Sequence, residues 1–190
     1  MKQDHPESNL SAWLSTFLPE ENHSQFIETI QSKPGRISKG YKELFQGYEI
    51  DSAQDIISVT EELKEKRYSG LISGLDIPFL SFCEHHFLPF HGTIDIVYEP
   101  DKYILGIGKL SRLADYRTKR FNIQEHIAEE LCNDLMTVGA AKGAFARVKA
   151  KHMCLCYRGP KKYDSSNTVC YWSGSLLDSE RKSEISLILN

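Results

Sequence analysis

The run TIDIVYEPDKYILGI (residues 93–107) decides the class of fold. Thr93–Tyr98 and Tyr103–Ile107 are rich in β-branched and aromatic residues, and Glu99-Pro100-Asp101-Lys102 between them has turn chemistry. Together they predict a β-hairpin. On its N-terminal side, Leu71–Phe82 is a mostly apolar run whose Pro78 marks an edge or irregular strand. On its C-terminal side, Leu110–Tyr116 predicts a short helix. Ile123, Ile127, Leu131 and Leu135 then recur every four residues, the apolar face of a helix that stops before Gly139. Ala144–Tyr157 predicts a long strand, Asn167–Leu176 its partner, and Asp178 caps a last short helix. Antiparallel strands with helices kept in separate segments give an α+β fold.

Upstream, Ile37, Tyr41, Leu44 and Phe45 have helical spacing within residues 36–48, and Gly47 is a plausible stop. Thr60–Arg67 predicts a charged, solvated helical turn or two in which Glu62 and Lys66 pair at i,i+4. Residues 1–31 are polar, apart from short amphipathic pieces such as Leu10, Trp13, Leu14 and Phe17 before Pro19. There is no repeat, low-complexity tract or boundary beyond residue 35. The expected organisation is an N-terminal helical extension, 1–35, and one domain, 36–190.

Composition removes several classes of function. Over 190 residues the net charge is -3, so no overall basic field draws the chain to nucleic acid or to an anionic membrane. No uncharged apolar run approaches the roughly 18 residues of a membrane span. The opening MKQDHPESN has no apolar core of a secretory signal, and a cytoplasmic location is the expectation. The 5 cysteines are an odd number, which argues against a disulfide framework and toward metal chemistry for some of them.

Two clusters carry that chemistry. In Cys83-Glu84-His85-His86, a cysteine and a histidine at i,i+3 face one point across a turn, a spacing suited to tetrahedral zinc. In His152-Met153-Cys154, on the expected strand, His152, Cys154, Cys156 and Arg158 share one face. The two clusters can supply three zinc ligands and leave two histidines free to move protons. Three protein ligands leave a position open for water, the mark of a catalytic rather than a structural site. Cys156 is expected to be a small buried side chain, the alternatives being that it crowds the metal or forms a reversible disulfide with Cys83 or Cys154; Cys132 and Cys170 carry no specific signal, and His91 and His126 are expected to pack or hydrogen-bond locally. Among the basic residues, Lys109 and Arg112 one turn apart at a helix start suit a polyphosphate.

In this order, the segments PGRISKGYKELFQGY (34–48), DIPFLSFCEHHFLPFHG (76–92), YILGIGKLSRL (103–113), RFNIQEHI (120–127) and KHMCLCYRG (151–159) resemble the GTP cyclohydrolase I family. The resemblance implies a tunnelling fold, in which antiparallel sheets of several subunits form a barrel with helices outside. It also implies a toroidal homo-oligomer, typically a decamer, with sites at subunit contacts. The implied reaction opens the imidazole ring of GTP, releases formate and rearranges the ribose to give 7,8-dihydroneopterin triphosphate. Carried over by position, Cys83, His86 and Cys154 would be the zinc ligands. His152 would donate a proton to N7 and His85 would help to open the ribose. Glu125 would hold the guanine edge with Gln124 beside it, and Arg36, Lys39, Lys109, Arg112 and Arg158 would clamp the triphosphate. Two departures stand out: Gly108 replaces a serine that the family places near the ribose, and Thr168–Trp172 is bulkier than the usual strand. They motivate two alternatives, a paralogue that stops at the ring-opened formamide or takes another purine nucleotide, and a non-catalytic nucleotide-binding ring.

Overall fold

The β-rich run from Thr93 to Tyr98 lies in the central strand of a five-stranded sheet. The computed structural model describes residues 8–33, 35–57, 61–62 and 68–190. The chain divides into two compact units between Phe45 and Gln46. The first holds helices α1 (Ser8–Leu14), α2 (Glu20–Ser32) and α3 (Arg36–Leu44). Neither α2 nor α3 buries a residue, and Trp13 and Phe17 stack edge to face on each other while exposed.

In the second unit a 3-10 turn (Gln46–Glu49) and α4 (Ala53–Ile57) precede strands β1 (Glu61–Glu62), β2 (Ile72–Cys83), β3 (Pro89–Glu99) and β4 (Tyr103–Ile104). Next come α5 (Ile107–Thr118), β5 (Phe121–Asn122), α6 (Gln124–Thr137) and β6 (Gly143–His152). The turn α7 (Met153–Cys156), β7 (Asn167–Gly174), a 3-10 turn (Ser175–Leu177) and α8 (Ser179–Ile188) complete it. The main sheet has the order β5-β2-β3-β6-β7, antiparallel from β2 to β7, with β5 running parallel to β2.

Alternate residues of the strands make the core. Phe90, Ile94, Ile96 and Tyr98 of β3 and Ala144, Ala146, Val148 and Ala150 of β6 lie on one face, buried with Ile127, Leu131 and Leu135 of α6 and Leu110 and Leu113 of α5. The opposite face carries a smaller cluster in which Val97 and Phe145 pack with Leu176 and Ile185. Gly92 marks a close approach of β3 and β6: a Cβ there would stand 1.8 Å from the Lys149 carbonyl oxygen. Asp178 caps α8 as expected, accepting from the Glu180 N–H at 2.8 Å.

Three expectations are corrected. Tyr103–Ile104 does not pair back onto 93–98. Both edges of β3 are taken, by β2 and β6, so β4 pairs with Glu61–Glu62 instead. That pairing makes Glu61–Glu62 a strand in place of the expected helical turn, whose remaining positions, 60 and 63–67, lie outside the described residues. The long strand 144–157 ends at His152. The β7 ladder stops at Ala150↔Asn167 and the β3 ladder at Phe90↔His152, so from Met153 onward no neighbouring strand receives the backbone. The chain bonds locally instead, with the Tyr157 N–H donating to Met153 O at 3.1 Å. Cys154 and Cys156 are therefore not on a strand face with His152. Cys156 is buried, its Sγ 3.8 Å from Ser165 O.

Pro78 lies where β3 is the strand paired with β2, because β5 reaches β2 only at Phe82 and Cys83. The register slips between Gly74 and Ile77, where Asp76 has φ 50°. Asp95 holds this bulge. Its buried carboxylate accepts from the Asp76 N–H at 2.9 Å and from Arg147 Nε at 2.7 Å. Asp95→Ala strands both donors, and about 3–5 kcal/mol of stability is the expected loss for a broken buried pair. Denaturant unfolding of parent and variant measures it; a loss below about 1 kcal/mol, the range of an exposed pair, contradicts this role.

Candidate active site

Cys83 is the last residue of β2, and the turn that follows is pinned back onto it. The Phe87 N–H donates to Cys83 O at 2.7 Å, and the Cys83 N–H donates to Leu88 O at 2.9 Å. Phe87 takes φ 55°, a left-handed conformation that a side chain disfavours, and this closes the turn that presents His85 and His86. From the other side come His152, the last residue of β6, and Cys154 on α7. Gln124 and Glu125 open α6. All seven line one cavity of about 330 Å³ at this end of the sheet.

Within it, the donor atoms of Cys83, His152 and Cys154 all lie within 4.8 Å of one another. Nδ1 of His85 and Nδ1 of His86 are 3.8 and 3.9 Å from Cys83 Sγ. Two thiols and an imidazole are the soft and borderline donors that zinc takes, so the donor set fits that ion. Burial, and then the neighbouring Cys83, push the Cys154 thiol up, so it keeps its proton until a cation replaces it. Burial lowers His152, with the Glu125 charge opposing, which favours a neutral ring carrying a lone pair. That ring lies flat on Phe90, centroids 4.4 Å apart and planes 2° from parallel.

The basic residues singled out in the sequence are not gathered here. Neither a lysine nor an arginine lines the cavity among the described residues. The Lys109 ammonium donates to Ile56 O, and Arg112 lines a second hollow of about 270 Å³ with Asp55, Asp115 and Lys119. Arg158 is exposed and acts on the Cys154 thiol electrostatically, in the lowering direction. Arg36 and Lys39 belong to α3 of the first unit.

Three contributors escaped the sequence reading. Asn122 lines the cavity and turns the chain into α6, its Oδ1 accepting from the Ile123 N–H at 2.8 Å. Asn167 lines it from the first residue of β7. Phe90 supports the His152 ring from across the β3–β6 ladder. For Asn122, the signal was its place two residues before the Gln124-Glu125 pair. The other two follow from strand register.

A family model described as GTP cyclohydrolase I matches residues 11–189. The chain belongs to that family. A GTP cyclohydrolase 1 of Fusobacterium nucleatum is 34% identical over 166 residues, covering 87% of each chain. One of Campylobacter lari is 35% identical over 154 residues, 81% of this chain and 80% of that one. One of Finegoldia magna is 33% identical over 175 residues, 92% of this chain and 91% of that one. Among solved structures, the apo archaeosine synthase QueF-Like aligns with TM-score 0.42 and 19% identity, over 59% of this chain and 98% of that one. No helix among the described residues is long and apolar enough to cross a membrane.

Proposed function

We propose that this chain is a zinc-dependent GTP cyclohydrolase I that opens the guanine imidazole ring, releases formate and delivers 7,8-dihydroneopterin triphosphate. The observation that carries the reading is one cavity holding two thiols, three histidines and the Glu125 carboxylate. Cys83, His86 and Cys154 would hold the ion. When bound, zinc would supply Lewis acidity there. His152 moves the proton to N7, and His85 supplies the acid for ribose opening. Glu125, exposed at the start of α6, offers two acceptors to the guanine N1–H and 2-amino group.

Triphosphate binding on this reading needs more than one copy of the chain. The substrate is strongly anionic, yet the cavity lining carries no cation among the described residues. Arg158 stands near Cys154, and Lys109, Arg112, Arg36 and Lys39 would be contributed by neighbouring copies. The sheet supports such an assembly: among the described residues the far side of β7 has no partner and β2 is covered only at Phe82 and Cys83. On the family resemblance we propose the tunnelling fold, a toroidal homodecamer, and a reducing, cytoplasmic setting in which the thiols stay free. The catalytic domain would be 36–190, because Arg36 and Lys39 serve the phosphates, with 1–35 as its extension.

Incubating the zinc-loaded protein with GTP and quantifying formate and pterin by mass spectrometry tests the reading. Equal formation of both is expected; unchanged GTP refutes it and favours a nucleotide-binding ring. Gly108 motivates a second reading, in which the reaction stops at the ring-opened nucleotide. A Cβ at Gly108 meets no atom within 4 Å, so the fold itself does not demand glycine there. Gly108→Ser should fold with stability within about 0.5 kcal/mol of the parent and leave the product ratio unchanged. A shift from ring-opened nucleotide to pterin on adding the hydroxyl would establish the second reading.

A further inference from the structure

We propose that Gln124 is a positioning residue for His152, holding it as the Nε2–H tautomer so that Nδ1 is the nitrogen through which the ring acts. The catalytic part of this inference rests on the function proposed above, whereas the tautomer rests on hydrogen-bond chemistry alone.

Gln124 is buried, and its amide group is committed at both ends. Its Nε2 donates to Val148 O on β6 at 2.8 Å and to Asn167 O on β7 at 3.1 Å. Two carbonyl oxygens can only accept, so the nitrogen of the amide must face them and Oε1 must face the other way. Oε1 is 2.9 Å from His152 Nε2. An amide oxygen brings no proton to that contact, so the proton is on Nε2. In the neutral ring the lone pair is then on Nδ1. Phe90, parallel to the imidazole, fixes the plane in which this pair lies.

The same bonds remove Gln124 from guanine recognition. An amide whose two donors are spent on strand carbonyls has no N–H left to offer a base edge, and its oxygen already accepts from His152. That task falls to Glu125, one residue along and exposed. Gln124 also ties the ring to the fold: one side chain grips the interior of β6 at Val148 and the start of β7 at Asn167, and hands their rigidity to His152. The Nε2–H bond to Gln124 leaves Nδ1 as the ring nitrogen open to the site.

Solid-state NMR of zinc-loaded protein with isotope-labelled histidine reads the tautomer directly, the His152 signals being identified by their loss in His152→Gln. The Nε2–H form is expected, and the Nδ1–H form overturns the proposal, with no variant required. In Gln124→Leu, the His152 ring should become a mixture of tautomers. Formate release should slow by about 10- to 100-fold, as for other partners that orient an active-site imidazole. GTP affinity should stay at the parent value. Weakened GTP binding with an unchanged turnover number would return Gln124 to a substrate contact and overturn the proposal. A parent that releases no formate would instead refute the cyclohydrolase reading, leaving the tautomer result to be judged by itself.

Discussion

Cys154→Ala is expected to lose bound zinc and formate release together. Its sulfur and that of Cys83 are two members of a donor group within 4.8 Å, so the substitution leaves one thiol and the histidines. Catalytic zinc is held by three protein ligands plus water, and two ligands do not retain it through dialysis. Metal analysis should fall from about one zinc per chain to background, with no formate above the blank. The fold should survive. Cys154 lies on a short turn at the rim of the core, only half-buried, and alanine suits a helical turn. Retention of full zinc by a folded Cys154→Ala protein would contradict the ligand assignment.

The second large effect separates two histidines. The structure groups His152 with the thiols, whereas the ligand set proposed from family resemblance uses His86, whose Nδ1 is 3.9 Å from Cys83 Sγ. On the proposed assignment, His86→Ala loses the ion. His152→Ala keeps it and yet releases formate about 10²- to 10⁴-fold more slowly, the range for a lost general acid or base. Burial holds His152 below the usual imidazole range, so near neutral pH it is uncharged and able to take a proton before giving one. Parallel zinc analysis and formate assays on the two variants decide the matter. Zinc lost from His152→Ala and kept by His86→Ala would make the ligand set Cys83, His152 and Cys154.

Local pattern carried much of this molecule. The four-residue recurrence through Ile127, Leu131 and Leu135 became the buried face of α6, and the β-rich runs gave β2, β3 and β7. What failed was non-local. Turn chemistry at Glu99–Lys102 was sound, but one edge of β3 pairs with β2 just before it and the other is taken by β6, far along the chain, which the local pattern does not say. Met153–Tyr157 looks β-like in sequence, yet a strand ends where its partners end, at His152. The site shows the same division. Cys83-Glu84-His85-His86 and His152-Met153-Cys154 announce their chemistry by residue type and spacing. That Phe90 backs the imidazole, that Gln124 is spent on it, and that Lys109 is tethered to Ile56 follow from register and packing, which spacing does not encode.

The placement of the two thiols has a mechanical side. Cys83 ends β2 and Cys154 follows β6, and these strands are not neighbours: β3 runs between them. An ion gripped by both sulfurs is thus a clasp thrown over the end of β3, closing the chain from 83 to 154 into a ring. Such a closure would stabilise the fold because the two sulfurs stand together only in the folded chain, so the free energy of binding the ion would add to that of folding. Held as proposed, the ion would be both catalyst and latch, keeping its own end of the sheet from fraying.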